Sequence, residues 1–231
     1  MKEKYFNFPI QLLEDFMKND TKTILNNISD YVIYEESLTF SQGTNLEKMI
    51  SCASKYDMTL GNNQKAFDNG KQLYNSFDIN PPRAGIKLSI WWDFYKNDKT
   101  EFDKICLLCF LAIKSILGRQ KSYCKITNKY LWARMDGKVK AVLEIWELSD
   151  EVKKYANEYQ TKKIKTLLIH NWGLVTFAYH CRGFYVSYKL TLEALIMEAE
   201  KRRKSTIEKQ YKDHEKELRK KVLDKLRETR P

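Results

Sequence analysis

The sequence predicts a mainly helical protein interrupted by one β-hairpin. Three observations carry that expectation. Apolar residues recur at three and four over long stretches, as in Phe102, Ile105, Cys106, Cys109, Phe110, Ile113, Ile116 and Leu117. Glycines stand just past the ends of such stretches, at Gly118, Gly137 and Gly173. The period shifts from 3.6 to 2 over residues 175–190, on either side of Gly183.

Taken in order, residues 5–38 read as helices. Pro9 suits a first-turn position, and Ile10, Leu12, Leu13, Phe16 and Met17 form an apolar stripe followed by Ile24, Leu25, Ile28, Tyr31, Val32 and Ile33. Residues 41–85 are more polar and read as helix and loop, ending in Asn80-Pro81-Pro82-Arg83-Ala84-Gly85, the best candidate for a domain boundary. Glu101–Leu117 is an amphipathic helix with Gly118 as its stop. Thr127 or Asn128 caps a short helix through Leu131, Trp132 and Met135. Ser149-Asp150-Glu151 looks like a further helix start, and a later helix ends in Ile164, Leu167, Leu168, Asn171 and Trp172 before Gly173. Val175, Phe177 and Tyr179 then alternate with polar or small residues, as do Phe184, Val186, Tyr188 and Leu190 beyond Gly183. A last helix starts near Thr191.

The composition is that of a folded protein: 231 residues, 43% hydrophobic, 31% charged and 13% aromatic. No run approaches the ~18 uninterrupted apolar residues of a membrane span. Met1-Lys2-Glu3-Lys4-Tyr5-Phe6 has no apolar core of a secretory signal, and five cysteines do not make a disulfide framework. A cytoplasmic protein without membrane attachment is expected. The formal charge is +11, and its distribution is uneven. Between Lys201 and Arg230 thirteen basic residues face six acidic ones, so seven of the eleven surplus charges lie there. That segment lacks Gly and internal Pro, carries Glu208/Lys212 and Glu217/Lys221 at helical i,i+4 spacing, and reads as a charged helix. Its thin stripe of Ile207, Tyr211, Leu218, Val222 and Leu226 would serve a homodimer seam.

Helix, short helix, helix, hairpin is an order that one small fold uses. The stretch Gln160-Thr161-Lys162-Lys163-Ile164-Lys165-Thr166-Leu167-Leu168-Ile169-His170-Asn171-Trp172-Gly173-Leu174-Val175 resembles the recognition helix and first wing strand of the winged helix-turn-helix superfamily. Arg182-Gly183-Phe184-Tyr185-Val186 resembles its wing tip and return strand. The resemblance covers roughly residues 100–195 and departs from the pattern in the twenty or so residues Lys138 to Tyr159, where a short turn is usual. Residues 1–95 carry no such resemblance. The expected organisation is a helical region of unassigned role over 1–85, a winged helix domain over 86–200 with a β-hairpin wing, and a long basic C-terminal helix or tail over 201–231. The resemblance implies non-enzymatic binding of double-stranded DNA by a transcription regulator or a replication initiator of plasmid or phage type. The competing expectation is a protein-interaction module, such as a phage-type inhibitor of a nucleic-acid-binding protein, with residues 1–85 also open to a protein partner.

With Ile164 as origin and 100° per residue, Leu167, Leu168 and Asn171 fall on the buried side of the 160–172 helix. Lys162, Thr166 and Ile169 point outward, with Lys163, Lys165 and His170 on the flanks. Lysines neutralise phosphates or reach guanine acceptors, and Thr and Ile methyls meet thymine. Arg182 at the hairpin tip suits a narrow minor groove. Lys125, Lys129 and Arg134, around the second helix, and Arg202 and Arg203, after the hairpin, are further candidate phosphate contacts. Alternating Tyr179, Phe184, Tyr185 and Tyr188 read as a packed sheet face, and Trp91, Trp92, Trp132, Trp146 and Trp172 as core. Cys106-Leu107-Leu108-Cys109 has CxxC spacing, but it lies in an apolar helix where Cys is an ordinary buried residue. No phosphate loop, HExxH or G-x-S-x-G is present, so neither cofactor, metal nor catalytic residue is expected.

Overall fold

The computed structural model describes residues 3–77, 80–179 and 183–228, with side chains as far as 221. The chain is mainly helical, with two small antiparallel sheets. It opens with a strand, not a helix: β1 (Tyr5–Pro9) pairs antiparallel with β2 (Arg83–Lys87), Tyr5 opposite Lys87 and Pro9 opposite Arg83. Two-residue alternation explains the departure from the expected helix. Phe6, Phe8, Ala84 and Ile86 are fully buried on one face of the ribbon, and each phenylalanine contributes roughly 1.5–3 kcal/mol by leaving water. After Pro9 a single 3-10 turn, Ile10–Leu13, drops its apolar residues into the core. The point expected to separate two domains, between residues 85 and 86, falls inside β2.

The first long helix, α1 (Thr21–Ser37), begins where the Asp20 carboxylate accepts from the Thr23 N–H. Next come α2 (Asn45–Lys55), opened by a Thr44/Glu47 capping box, and α3 (Asn63–Ser76). Together with α1 they hold a satellite core around Ile33, Tyr34, Met49 and Cys52. Helix α4 (Leu88–Lys96) follows β2 directly, and its Trp91 indole N–H donates to the Leu25 carbonyl at 3.2 Å.

The centre of the molecule is α5 (Glu101–Leu117), with the bounds its apolar spacing predicts, opened by a Thr100/Asp103 capping box and ended at Gly118. Around it close β3 (Tyr123–Ile126), α6 (Asn128–Met135, capped by Thr127), the single turn α7 (Asp150–Lys153) and α8 (Glu158–Trp172, capped by Asn157). The hairpin follows as β4 (Val175–Phe177) and β5 (Phe184–Ser187). The sheet runs β3-β5-β4, antiparallel throughout, with Cys124 opposite Val186 and Phe177 opposite Tyr185. Its inner face (Cys124, Ile126, Phe184, Val186) joins the main core, which extends in one cluster from Phe6 to Val186. Its outer face packs Tyr185 against Leu195 and Ala199 of α9 (Leu192–Glu228), a single helix that runs on through the charged segment. Among the described residues, no helix is long and apolar enough to cross a membrane.

Candidate nucleic-acid interface

Helix α8 is set by a cap at each end. The Asn157 side chain accepts from the Gln160 N–H at 2.9 Å, and Gly173 takes a left-handed φ of 67°. The chain then turns back so that the Leu174 N–H donates to the Leu168 carbonyl at 3.1 Å. Leu174 is thereby buried in the place expected for Asn171, which is exposed. Thr161, Ile164 and Leu168 face the core, and the Trp132 indole donates to the Thr161 hydroxyl at 2.9 Å.

The outward face carries Lys162, Lys163, Thr166, Ile169 and His170, all exposed. The Thr166 hydroxyl donates to the Lys162 carbonyl at 3.0 Å, a bond made within the helix. The Lys163 ammonium stands 4.6 Å from the centroid of the Phe102 ring and remains accessible. Lys165 differs: it is half-buried, 4.0 Å from the Phe184 ring centroid, and burial holds its ammonium below the ordinary lysine range. It belongs to the seam between α8 and β5. The first turn of α8 carries the acidic Glu158, and the first cation of the helix is Lys162.

Beyond α8, the turn end of the hairpin needs Gly183. Its φ is 88°, and a Cβ there would stand 2.7 Å from the Ile126 carbonyl oxygen. Arg182, with His180 and Cys181, lies outside the described residues. Of the remaining cations, Lys125 is exposed beside the Tyr185 ring, 5.8 Å from its centroid, and Arg203 stands 5.2 Å from the Tyr179 ring. Lys125 and Arg202 line a groove of roughly 550 Å³ together with Lys121, Tyr123 and Tyr130. Lys121 is a residue that helical periodicity alone did not single out; its signal is a cation at the entrance to an edge strand. Lys129 is exposed but engaged: its ammonium donates to the Leu143 carbonyl and lies 3.6 Å from Glu144.

Two expectations are corrected. Arg134, expected to reach phosphate, is buried at 4% exposure, with Nη2 donating to the Tyr130 hydroxyl at 2.7 Å and its planar head over that ring. It sits on the core side of a short helix whose last turn is wholly enclosed. Trp146, expected in the core, is 73% exposed in the segment between α6 and α7, beside an equally exposed Leu143.

Cys106 and Cys109 are buried within α5, where burial pushes both thiols up, Cys106 to about 12. Cys124 is likewise buried, its thiol raised to about 11. Among the described residues no group of three or more His, Cys, Asp or Glu side chains is placed to hold a metal ion. No protein family, curated protein or solved structure matches this chain. The arrangement is thus two groups of cations, one on the outward face of α8 and one around β3 and α9 on the outer face of the small sheet.

Proposed function

We propose that this protein binds double-stranded DNA without chemistry, through a winged helix-turn-helix unit built on α5, β3, α6, α8, β4 and β5. In this reading α8 enters the major groove and the β4–β5 hairpin is the wing, as in a transcription regulator or a replication initiator of plasmid or phage type. One observation carries it: the outward face of α8 presents Lys162, Lys163, Thr166, Ile169 and His170, and the β4–β5 hairpin follows it after two residues, with Lys165 of α8 resting on Phe184 of β5. Lysines supply phosphate contacts, and the Thr and Ile methyls supply apolar contact with thymine. Lys121, Lys125, Arg202 and Arg203 add a second basic cluster on the outer face of the sheet, the face that carries α9.

The test is fluorescence anisotropy with a labelled duplex at a series of salt concentrations. If about five phosphates are contacted, log affinity falls against log salt with a slope of roughly −4 to −5. Absence of salt-sensitive duplex binding would remove the proposal. A second reading, docking of a protein partner, is favoured by the exposed Leu143 and Trp146 in the segment between α6 and α7. Retained partner binding in a Trp146→Ala, Leu143→Ser double variant would exclude that surface.

A further inference from the structure

The ribbon that buries Phe6, Phe8, Ala84 and Ile86 turns Tyr5, Asn7, Arg83, Gly85 and Lys87 to its other face. Opposite them α5 presents Phe110 and Lys114, one turn apart on one stripe of the helix, and Gly118 and Arg119 follow at its end. Between the two lies a groove of about 880 Å³, lined by these residues with Glu35, Pro82 and Ser115. That is the size of a small-molecule site.

Its charge is one-sided. Arg83, Lys87, Lys114 and Arg119 face the single carboxylate of Glu35. Both guanidinium nitrogens of Arg83 grip that carboxylate, Nη1 at 2.7 Å, so it is already matched. Lys87 reaches Glu3 at the rim, 2.9 Å away, with both side chains partly exposed. Lys114 forms no ion pair among the described residues. Its ammonium is half-buried, 4.5 Å from the Tyr188 ring centroid and 5.4 Å from that of Phe110. Burial lowers its pKa, and the neighbouring Lys189 and Lys87 lower it further. Lys189 also donates to the Arg119 carbonyl at 3.3 Å. With the Asn7 amide turned to donate to the Ala84 carbonyl, its oxygen accepts from Arg119 Nη2 at 2.9 Å, which fixes the guanidinium at the groove wall. A half-buried cation held among like charges is costly unless an anion joins it.

We propose that this groove binds the phosphate of a nucleotide, with Lys114, Arg119 and Lys87 on the phosphate oxygens and the half-exposed Tyr5 ring against the base. The phosphate and planar base come either from a free nucleotide or from a nucleotide within a strand. None of the lining residues lies on α8, so the proposal does not depend on the duplex-binding reading.

The full chain is titrated with ATP and with pyrophosphate by calorimetry, and with a labelled oligothymidylate by anisotropy. Expected is saturable binding of at least one probe with a Kd below about 1 mM. Lys114→Gln and Arg119→Gln then weaken it by about tenfold each, as loss of a charge-assisted hydrogen bond does. Lys162→Gln/Lys163→Gln leaves it unchanged. Saturation by ATP identifies a free nucleotide; saturation by the oligothymidylate without ATP identifies a strand. No saturable probe, or undiminished binding in both groove variants with a native circular dichroism spectrum, overturns the proposal. Duplex affinity lost only in the α8 variant shows the two sites to be independent.

Discussion

The Lys165 ammonium stands 4.0 Å from the centroid of the Phe184 ring, so the helix and the returning strand of the hairpin meet through a cation and an aromatic face. Phe184 is buried and begins β5. Removing the side chain with Lys165→Ala is expected to cost about 1 kcal/mol in urea denaturation, from lost stem packing and cation–π attraction. Lys165→Met, which keeps the stem, costs less. Duplex affinity falls less with either than with Lys162→Ala, because Lys165 faces the seam.

Lys162 and Lys163 are exposed, so alanine at either position leaves the folded state intact. Each phosphate contact removed is expected to reduce the magnitude of the salt slope by about 0.9 and to weaken binding evenly across duplex sequences. Lys163 gives the smaller effect because its ammonium also rests on the Phe102 ring. Thr166→Ala and Ile169→Ala instead change preference among duplexes. Anisotropy titrations with a panel of duplexes separate the two behaviours.

Gly183 combines a φ of 88° with a carbonyl oxygen 2.7 Å from where a Cβ would sit. Gly183→Ala is therefore expected to cost about 1–3 kcal/mol and to displace the start of β5 from the Ile126 end of β3. In a chain of this length that lowers Tm by several degrees, on the order of 2–4 °C per kcal/mol. A thermal melt of the variant that overlays the parent would show that this end of the hairpin tolerates a side chain.

Asp30, on α1, has its carboxyl pushed up to about 6 by burial, against the opposing pull of the Asn69 hydrogen bond and of Lys65. Between about pH 4 and 6 the folded chain then holds this proton and the unfolded chain does not, so stability from this group is lost as pH rises through that window. Asp30→Asn keeps an acceptor for the Asn69 amide, now 2.8 Å from the carboxylate, and removes the titration. Melts at pH 4 to 7 are expected to show the variant gaining on the parent by about 1–2 kcal/mol over that range, after allowance for partial solvation. A constant difference would contradict the assignment.

The residues with the strongest local signals were the legible ones. Helix α5 has the bounds its apolar spacing predicts because the Thr100 cap and Gly118 bracket an unbroken stripe, and α8 ends at Gly173 for the same reason. Strands β1 and β2 were illegible because their partners are far apart in sequence. Phe6 and Phe8 find Ala84 and Ile86 only in three dimensions, while Pro9, Pro82 and Gly85 read locally as a helix start and a linker. The four residues of β3 are too few to establish a period. On the surface, the helical wheel placed Lys162, Thr166 and Ile169 correctly because α8 packs one face against the core. It failed at Asn171, where the left-handed turn substitutes Leu174, and Arg134 and Trp146 exchange the environments their residue types suggest. The groove cations share no local sequence pattern, because Lys87 comes from β2 and Lys114 and Arg119 from the end of α5.

Helix α9 is anchored by Leu195 and Ala199, and from Glu200 to Lys221 every side chain is exposed. At 1.5 Å per residue, the stretch from there to Glu228 reaches roughly 40 Å from its anchorage. Ion pairs one turn apart, Glu215 with Arg219 at 2.8 Å and Glu217 with Lys221 at 3.0 Å, stiffen it by a few tenths of a kcal/mol each. The molecule therefore carries a yardstick: whatever is attached near Glu228 is held a fixed span from the hairpin, and the particle tumbles as an elongated body, more slowly than a sphere of its 27.5 kDa mass.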